Sequence, residues 1–164
     1  MERFLLYIFD IIKQNHILRI MQMNRREALK AAALAALATT AASAFEQKQI
    51  VNRTKMKIAD PKHPTKAELK HTPEITVGEK DVAGYTLVEV TVGQEGIIHP
   101  SKADHWIYEI ELFADGKAVD KVSLEPVISR GYLGSRVKLD GIKTLSAVAK
   151  CNLHGDWESS ITLK

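Results

Sequence analysis

A chain of 164 residues allows one ordinary domain, and a composition of 45% hydrophobic and 26% charged residues is that of a folded globular protein. The net charge of +3 resides in the first 44 residues, which hold six Lys/Arg against three Asp/Glu; residues 45–164 hold seventeen of each, which excludes the clustered basic face of a nucleic-acid footprint. The only cysteine, Cys151, excludes an internal disulfide and any Cys-x-x-Cys pair, leaving a buried thiol, a nucleophile or a metal ligand.

The first 22 residues, "MERFLLYIFDIIKQNHILRIMQ", are apolar but interrupted by Asp10, Lys13 and Arg19, so they lack the uninterrupted length of a membrane span. They read as an amphipathic extension or, by preference, as a misassigned start, with the true one at Met21 or Met23. In "MNRREALKAAALAALATTAASAFE", Arg25-Arg26 precedes an Ala/Leu run from Ala31 to Ala38 and a small-residue site, Ala42-Ser43-Ala44. That order resembles a bacterial twin-arginine export signal, with Asn24 where Ser or Thr is commoner and Ala28 where Phe is commoner. Residues 1–44 are therefore expected to be an export signal read by the twin-arginine translocase, cleaved after Ala44, with a periplasmic mature protein. Residues 45–67 are polar and basic, broken by Pro61 and Pro64, and read as a linker or loop.

From Glu74 onward short alternating segments appear, the period of half-buried strands. After a short strand at Glu74 to Val77, Thr86, Val88, Val90 and Val92 share one face of "TLVEVTV", and Trp106, Tyr108, Ile110 and Leu112 share one face of the next. Asp115-Gly116 supplies a hairpin turn into "KAVDKVSL". "SRVKL" meets Asp140-Gly141, then "TLSAVAKC" and "WESSITL" follow. Seven short antiparallel strands and no convincing helix after residue 44 predict an all-β, immunoglobulin-like sandwich domain over residues 68–164, without the antibody cysteine pair.

Histidines carry the chemistry, because the fold class alone specifies none. After residue 44 there are five: His63, His71, His99, His105 and His154. Three of them stand at strand ends or turns, in "IIHPSKADHWI" and "CNLHG", where side chains from different strands can converge. A thiolate with several imidazoles is a borderline-soft donor set suited to Fe, Cu or Zn. Singly, each histidine is more often a surface or satisfied core residue and Cys151 an inert buried thiol. His-x5-His followed by Cys-x2-His is hard to attribute to packing.

Together, "KHTPEI", "HPSKADHWIYEIEL" and "CNLHGDW" resemble, in that order, the iron-site motifs of the superoxide reductases, the family that includes neelaredoxin and the catalytic domain of desulfoferrodoxin. The resemblance runs from about Glu68 to the C-terminus. It implies one mononuclear non-haem iron, Fe2+/Fe3+, with His71, His99, His105 and His154 in its equatorial plane, Cys151 as axial thiolate and a sixth position open to substrate. It further implies one-electron reduction of superoxide to hydrogen peroxide, for which thiolate donation of electron density is suited. Lys70 matches the family lysine that attracts the anion and orients water. The glutamate that usually precedes that lysine is replaced by Leu69, with Glu68 one residue too early. Because the sole cysteine is already used, the electron donor, rubredoxin-like or other, is expected to be a separate protein.

Two other classes compete. A cupredoxin-like electron carrier also combines Cys and His on an exported sandwich, but it usually places an axial Met soon after the last His, and no Met follows Met56. A non-catalytic sandwich serving as a binding module of a periplasmic complex could use residues 45–70 as a docking arm, yet it leaves the five-donor spacing unexplained. The sequence leaves homo-oligomerisation open.

Overall fold

Strict alternation of side chains builds the strands. The computed structural model describes residues 47–164, so the expected export signal and the expected alternative start lie outside the described residues. In chain order these hold a short 3-10 turn, Gln47–Gln49, then β1 (Lys55–Met56), α1 (Lys66–His71), β2 (Pro73–Lys80), β3 (Thr86–Val92), β4 (Ile107–Ala114), β5 (Lys117–Ser123), β6 (Tyr132–Val137), β7 (Thr144–Cys151) and β8 (Gly155–Thr162). None of the described helices is long and apolar enough to cross a membrane.

Two sheets form, with strand orders β1-β8-β7-β4-β5 and β2-β3-β6, and every pairing is antiparallel except β1 with β8. Val88, Val90 and Val92 of β3, with Leu133 and Val137 of β6, supply one inner face of the core; Ile110 and Leu112 of β4, with Leu145, Ala147, Ala149 and Cys151 of β7, supply the other. Each large apolar side chain removed from water there contributes about 1.5–3 kcal/mol of transfer free energy. The result is the expected all-β sandwich.

Three details differ from the sequence expectation. The alternation Trp106, Tyr108, Ile110, Leu112 is broken by a register shift between Ile107 and Glu109, so that Ile107 joins the core cluster and Trp106 and Tyr108, though buried, stand outside it. A bulge of this kind re-aims side chains at the end of a strand. A helix, α1, is present where none was read. The described part of the expected linker contains β1, whose two residues pair in parallel with Asp156 and Trp157 of β8. The Asp115-Gly116 hairpin is as read, with φ of 46° and 77°, the double positive φ of a type I′ turn.

Candidate metal centre

His71 owes its position to a helix start and a helix stop. Thr65 is the N-cap and Glu68 the third helical residue: Thr65 Oγ1 accepts from Glu68 N, while Glu68 Oε2 accepts from Thr65 N at 2.8 Å, a reciprocal capping box. Pro73 ends the helix, because a residue before proline is pushed out of the helical region; Thr72 is extended, at φ −72° and ψ 129°. The last helical residue is thus delivered to the end of the sandwich. His71 Nδ1 donates to the Ala67 carbonyl at 2.6 Å, which leaves Nε2 as the free lone pair. His99, in the β3–β4 loop, is fixed the same way, its Nδ1 donating to the Pro100 carbonyl at 2.7 Å. Its Nε2 is buried and has no hydrogen-bond partner among the described residues. His105 closes a tight turn in which its N–H and carbonyl both bond to Lys102. Cys151 ends β7 on the inward face, fully buried. His154 follows in the β7–β8 turn, exposed, and Gly155 beyond it takes φ +87°, a conformation that a side chain opposes.

The four imidazoles occupy the corners of a near-square. Neighbouring ring centroids lie 4.8 Å apart for His71–His99 and 4.7 Å for His99–His105, His105–His154 and His154–His71, while the His71–His105 diagonal is 5.8 Å. His154 Nδ1 lies 3.1 Å from both His71 Nε2 and His105 Nε2, and 3.5 Å from Cys151 Sγ. The donor atoms of His71, His99, His105 and Cys151 all fall within 4.8 Å of one another. Trp157 stacks on His71 at 5.4 Å and donates its indole N–H to the His154 carbonyl, bracing two corners at once.

Burial favours the neutral form of His71, His99 and His105. Burial pushes His71 down to about 4 and His99 down to about 3, and burial also lowers His105, with the neighbouring imidazoles and Lys70 acting in the same direction. The Cys151 thiol is pushed up by burial, opposed by the Leu153 and His154 backbone N–H groups and by Lys70. A single proton on His154 Nδ1 can serve only one of His71 Nε2 and His105 Nε2, each 3.1 Å away, and His99 Nε2 has no hydrogen-bond partner among the described residues, so lone pairs remain facing the centre unrelieved. His71 and His99 have already committed their Nδ1 protons to carbonyls and cannot relieve this themselves. A cation at the centre of the square would, and it would also hold the buried thiol as thiolate. The residues present therefore fit a metal with mixed imidazole and thiolate preference, iron included.

All five donors expected from the sequence meet here, and Lys70 is close enough for its charge to act on His71, His99, His105 and Cys151. His63 does not join them; its Nδ1 lies 3.0 Å from Asp60 Oδ2 at the surface. Glu68 is equally occupied elsewhere, since Oε1 accepts from Ala59 N at 2.8 Å in addition to the capping contacts, and Leu69 is buried at 6% exposure. Neither position turns a carboxylate toward the square. Two contributors escaped the sequence reading. The Thr65-x-x-Glu68 capping signature was a visible signal for α1; the stacking of Trp157 on His71 had none.

Residues 62–160 match the family model for desulfoferrodoxin. A Thermotoga maritima protein named "Putative superoxide reductase" is 32% identical over 110 residues, covering 56% of this chain and 83% of that protein. A desulfoferrodoxin of Nitratidesulfovibrio vulgaris is 40% identical over 96 residues, covering 57% of this chain and 64% of that protein, so the match spans just under two thirds of that relative's length. Among solved structures, the superoxide reductase (1Fe-SOR) of Giardia intestinalis superposes with a TM-score of 0.50 at 30% identity, over 57% of this chain and 98% of that one.

Proposed function

This chain belongs to the desulfoferrodoxin family, and from that premise we propose that it is a superoxide reductase, holding one mononuclear iron on His71, His99, His105, His154 and Cys151. The observation that carries the proposal is the near-square of four imidazoles beside a single buried thiol. Iron held there would supply one electron, Fe(II) becoming Fe(III), so that superoxide with two protons would yield hydrogen peroxide, and an external one-electron donor protein would restore the ferrous state.

The protein's own groups do the rest. Cys151 contributes a thiolate whose burial strengthens its influence on the metal and whose charge is tempered by two backbone N–H groups. The carbonyls of Ala67 and Pro100 fix the tautomers of His71 and His99, so each presents Nε2 without rearrangement. Lys70, half-buried beside the donors, attracts the anion to the square and orients water for proton delivery. Residues 1–44 serve as a twin-arginine signal, and export of a folded chain lets the metal be chosen before the periplasm, where affinity order alone would favour Cu and Zn over Fe(II).

The test is anaerobic purification from iron-replete cells with metal analysis, followed by the yield of peroxide and oxygen per superoxide consumed in the presence of a reductant. One iron per chain and one peroxide per superoxide without oxygen are expected. Copper or zinc at full occupancy, or oxygen released in the proportion of dismutation, would overturn the assignment.

A further inference from the structure

Asn152 follows the thiol ligand directly and is 1% exposed, yet it takes no place in the donor set. Its carboxamide is fully employed. Oδ1 accepts from Trp106 N at 3.0 Å, and Nδ2 donates to the Asp104 carbonyl at 3.0 Å and to the Gln49 carbonyl at 3.3 Å. Asp104 and Trp106 are the two residues on either side of His105. One planar amide thus grips the backbone before and after that histidine. The main chain doubles the grip, with Asn152 N donating to the Trp106 carbonyl at 3.2 Å, while the Asn152 carbonyl accepts from Val51 N at 2.9 Å.

The chemistry of the grip is selective. It needs an acceptor facing an N–H and donors facing two carbonyls on a short, rigid stem, and among side chains of this size only asparagine supplies both from one planar group. Aspartate of the same shape would turn carboxylate oxygens onto two carbonyls. An aliphatic residue would leave the buried Trp106 N–H without a partner and would release the Asp104 and Gln49 carbonyls.

We infer that Asn152 is a positioning residue of the metal centre: it locks the backbone that carries His105 to the backbone that carries Cys151, so that two donors from segments 46 residues apart keep a fixed separation. The inference rests on the metal-binding reading above and adds to it a residue that touches neither metal nor substrate. The arm at residues 49–51 braces this lock from outside through Gln49 and Val51.

The probe is Co(II) added to the metal-free chain, read by its thiolate charge-transfer and ligand-field bands and by its release rate to excess chelator. Asn152→Asp keeps the shape and the Trp106 N contact while losing the two N–H donors, and Asn152→Ala loses everything. Both are expected to shift the bands and release cobalt roughly 10- to 100-fold faster than the parent, the range for loss of a group that orients a ligand. Leu133→Ala, a core change in the opposite sheet, serves as the stability control and should keep parental bands and release. In a His105→Ala background the Asn152→Ala change should add nothing further, because the donor it positions is gone. Parental bands and release in both Asn152 variants, or an effect undiminished without His105, would overturn the inference. A parental chain that takes up no cobalt would instead overturn the metal-binding reading, and this inference with it.

Discussion

Gly155→Ala tests how far the metal loop depends on its backbone. Gly155 sits at φ +87°, and a Cβ built there overlaps the Thr54 carbonyl, the same oxygen that accepts from Asp156 N at 2.8 Å. Two costs follow. Left-handed backbone costs a non-glycine residue about 1–2 kcal/mol, and pushing Thr54 away sacrifices a hydrogen bond with a net contribution of about 1 kcal/mol. Gly141 provides the control, for it has φ +81° but nothing within 4 Å of its Cβ, so Gly141→Ala carries the backbone cost alone. The expected total for Gly155→Ala is about 2–3 kcal/mol, which at roughly 4 °C per kcal/mol, the value between smaller and larger domains, lowers the melting temperature by about 8–12 °C. Thermal unfolding of the metal-free proteins by circular dichroism makes the comparison. Gly155→Ala should lose clearly more stability than Gly141→Ala, and it alone should speed metal release, since His154 is its immediate neighbour. Equal losses in the two variants would refute the claim that the β1 approach to this turn requires glycine.

Four further outcomes are expected. Cys151→Ser should abolish the sulfur-to-iron charge-transfer band of the oxidised protein, and persistence of that band would remove Cys151 from the ligand set. Lys70→Ala should slow the bimolecular reaction with superoxide about tenfold at low salt and flatten its salt dependence, with iron content and spectrum unchanged; a parental rate would make Lys70 a surface charge only. Glu68→Ala should lower thermal stability by loosening α1 while leaving the spectrum parental, and a changed ferric spectrum would contradict its role as a helix cap. His71 and His99 are held near 4 and 3 when folded, below the unfolded value of about 6.5, so the unfolded chain binds protons first as pH falls. The metal-free protein should therefore lose stability as pH drops from about 6.5 toward 4, by up to about 1.4 kcal/mol per pH unit for each ring. Denaturant titrations that give the same stability at pH 7 and pH 5 would refute this.

The sequence by itself determined seven of the strands and singled out the candidate donors, because both are written in short-range pattern. "TLVEVTV" alternates at the period of a pleated strand, and the structure buries Thr86, Val88, Val90 and Val92 as that alternation requires. "CNLHGDW" places two donors and a glycine within five residues, close enough for one turn to aim both. Tertiary structure alone decided the rest. β1 has two residues, too few to show a period, and exists only because β8 offers it an edge. The bulge after Ile107 depends on its partner Cys151, so local alternation grouped Trp106 and Tyr108 with Ile110 and Leu112 on one face, whereas only the latter two join the core cluster. The sequence places Glu68 one residue out of the family register, but only the structure shows what its carboxylate does instead, capping Thr65 and accepting from Ala59 N. The role of Asn152 needs His105 beside it in space, and the square needs His71 brought to His154 across 83 residues. Residue types and local spacing set what each donor can bind, whereas the distance between donors is a property of strand register and loop packing, which no short window of sequence contains.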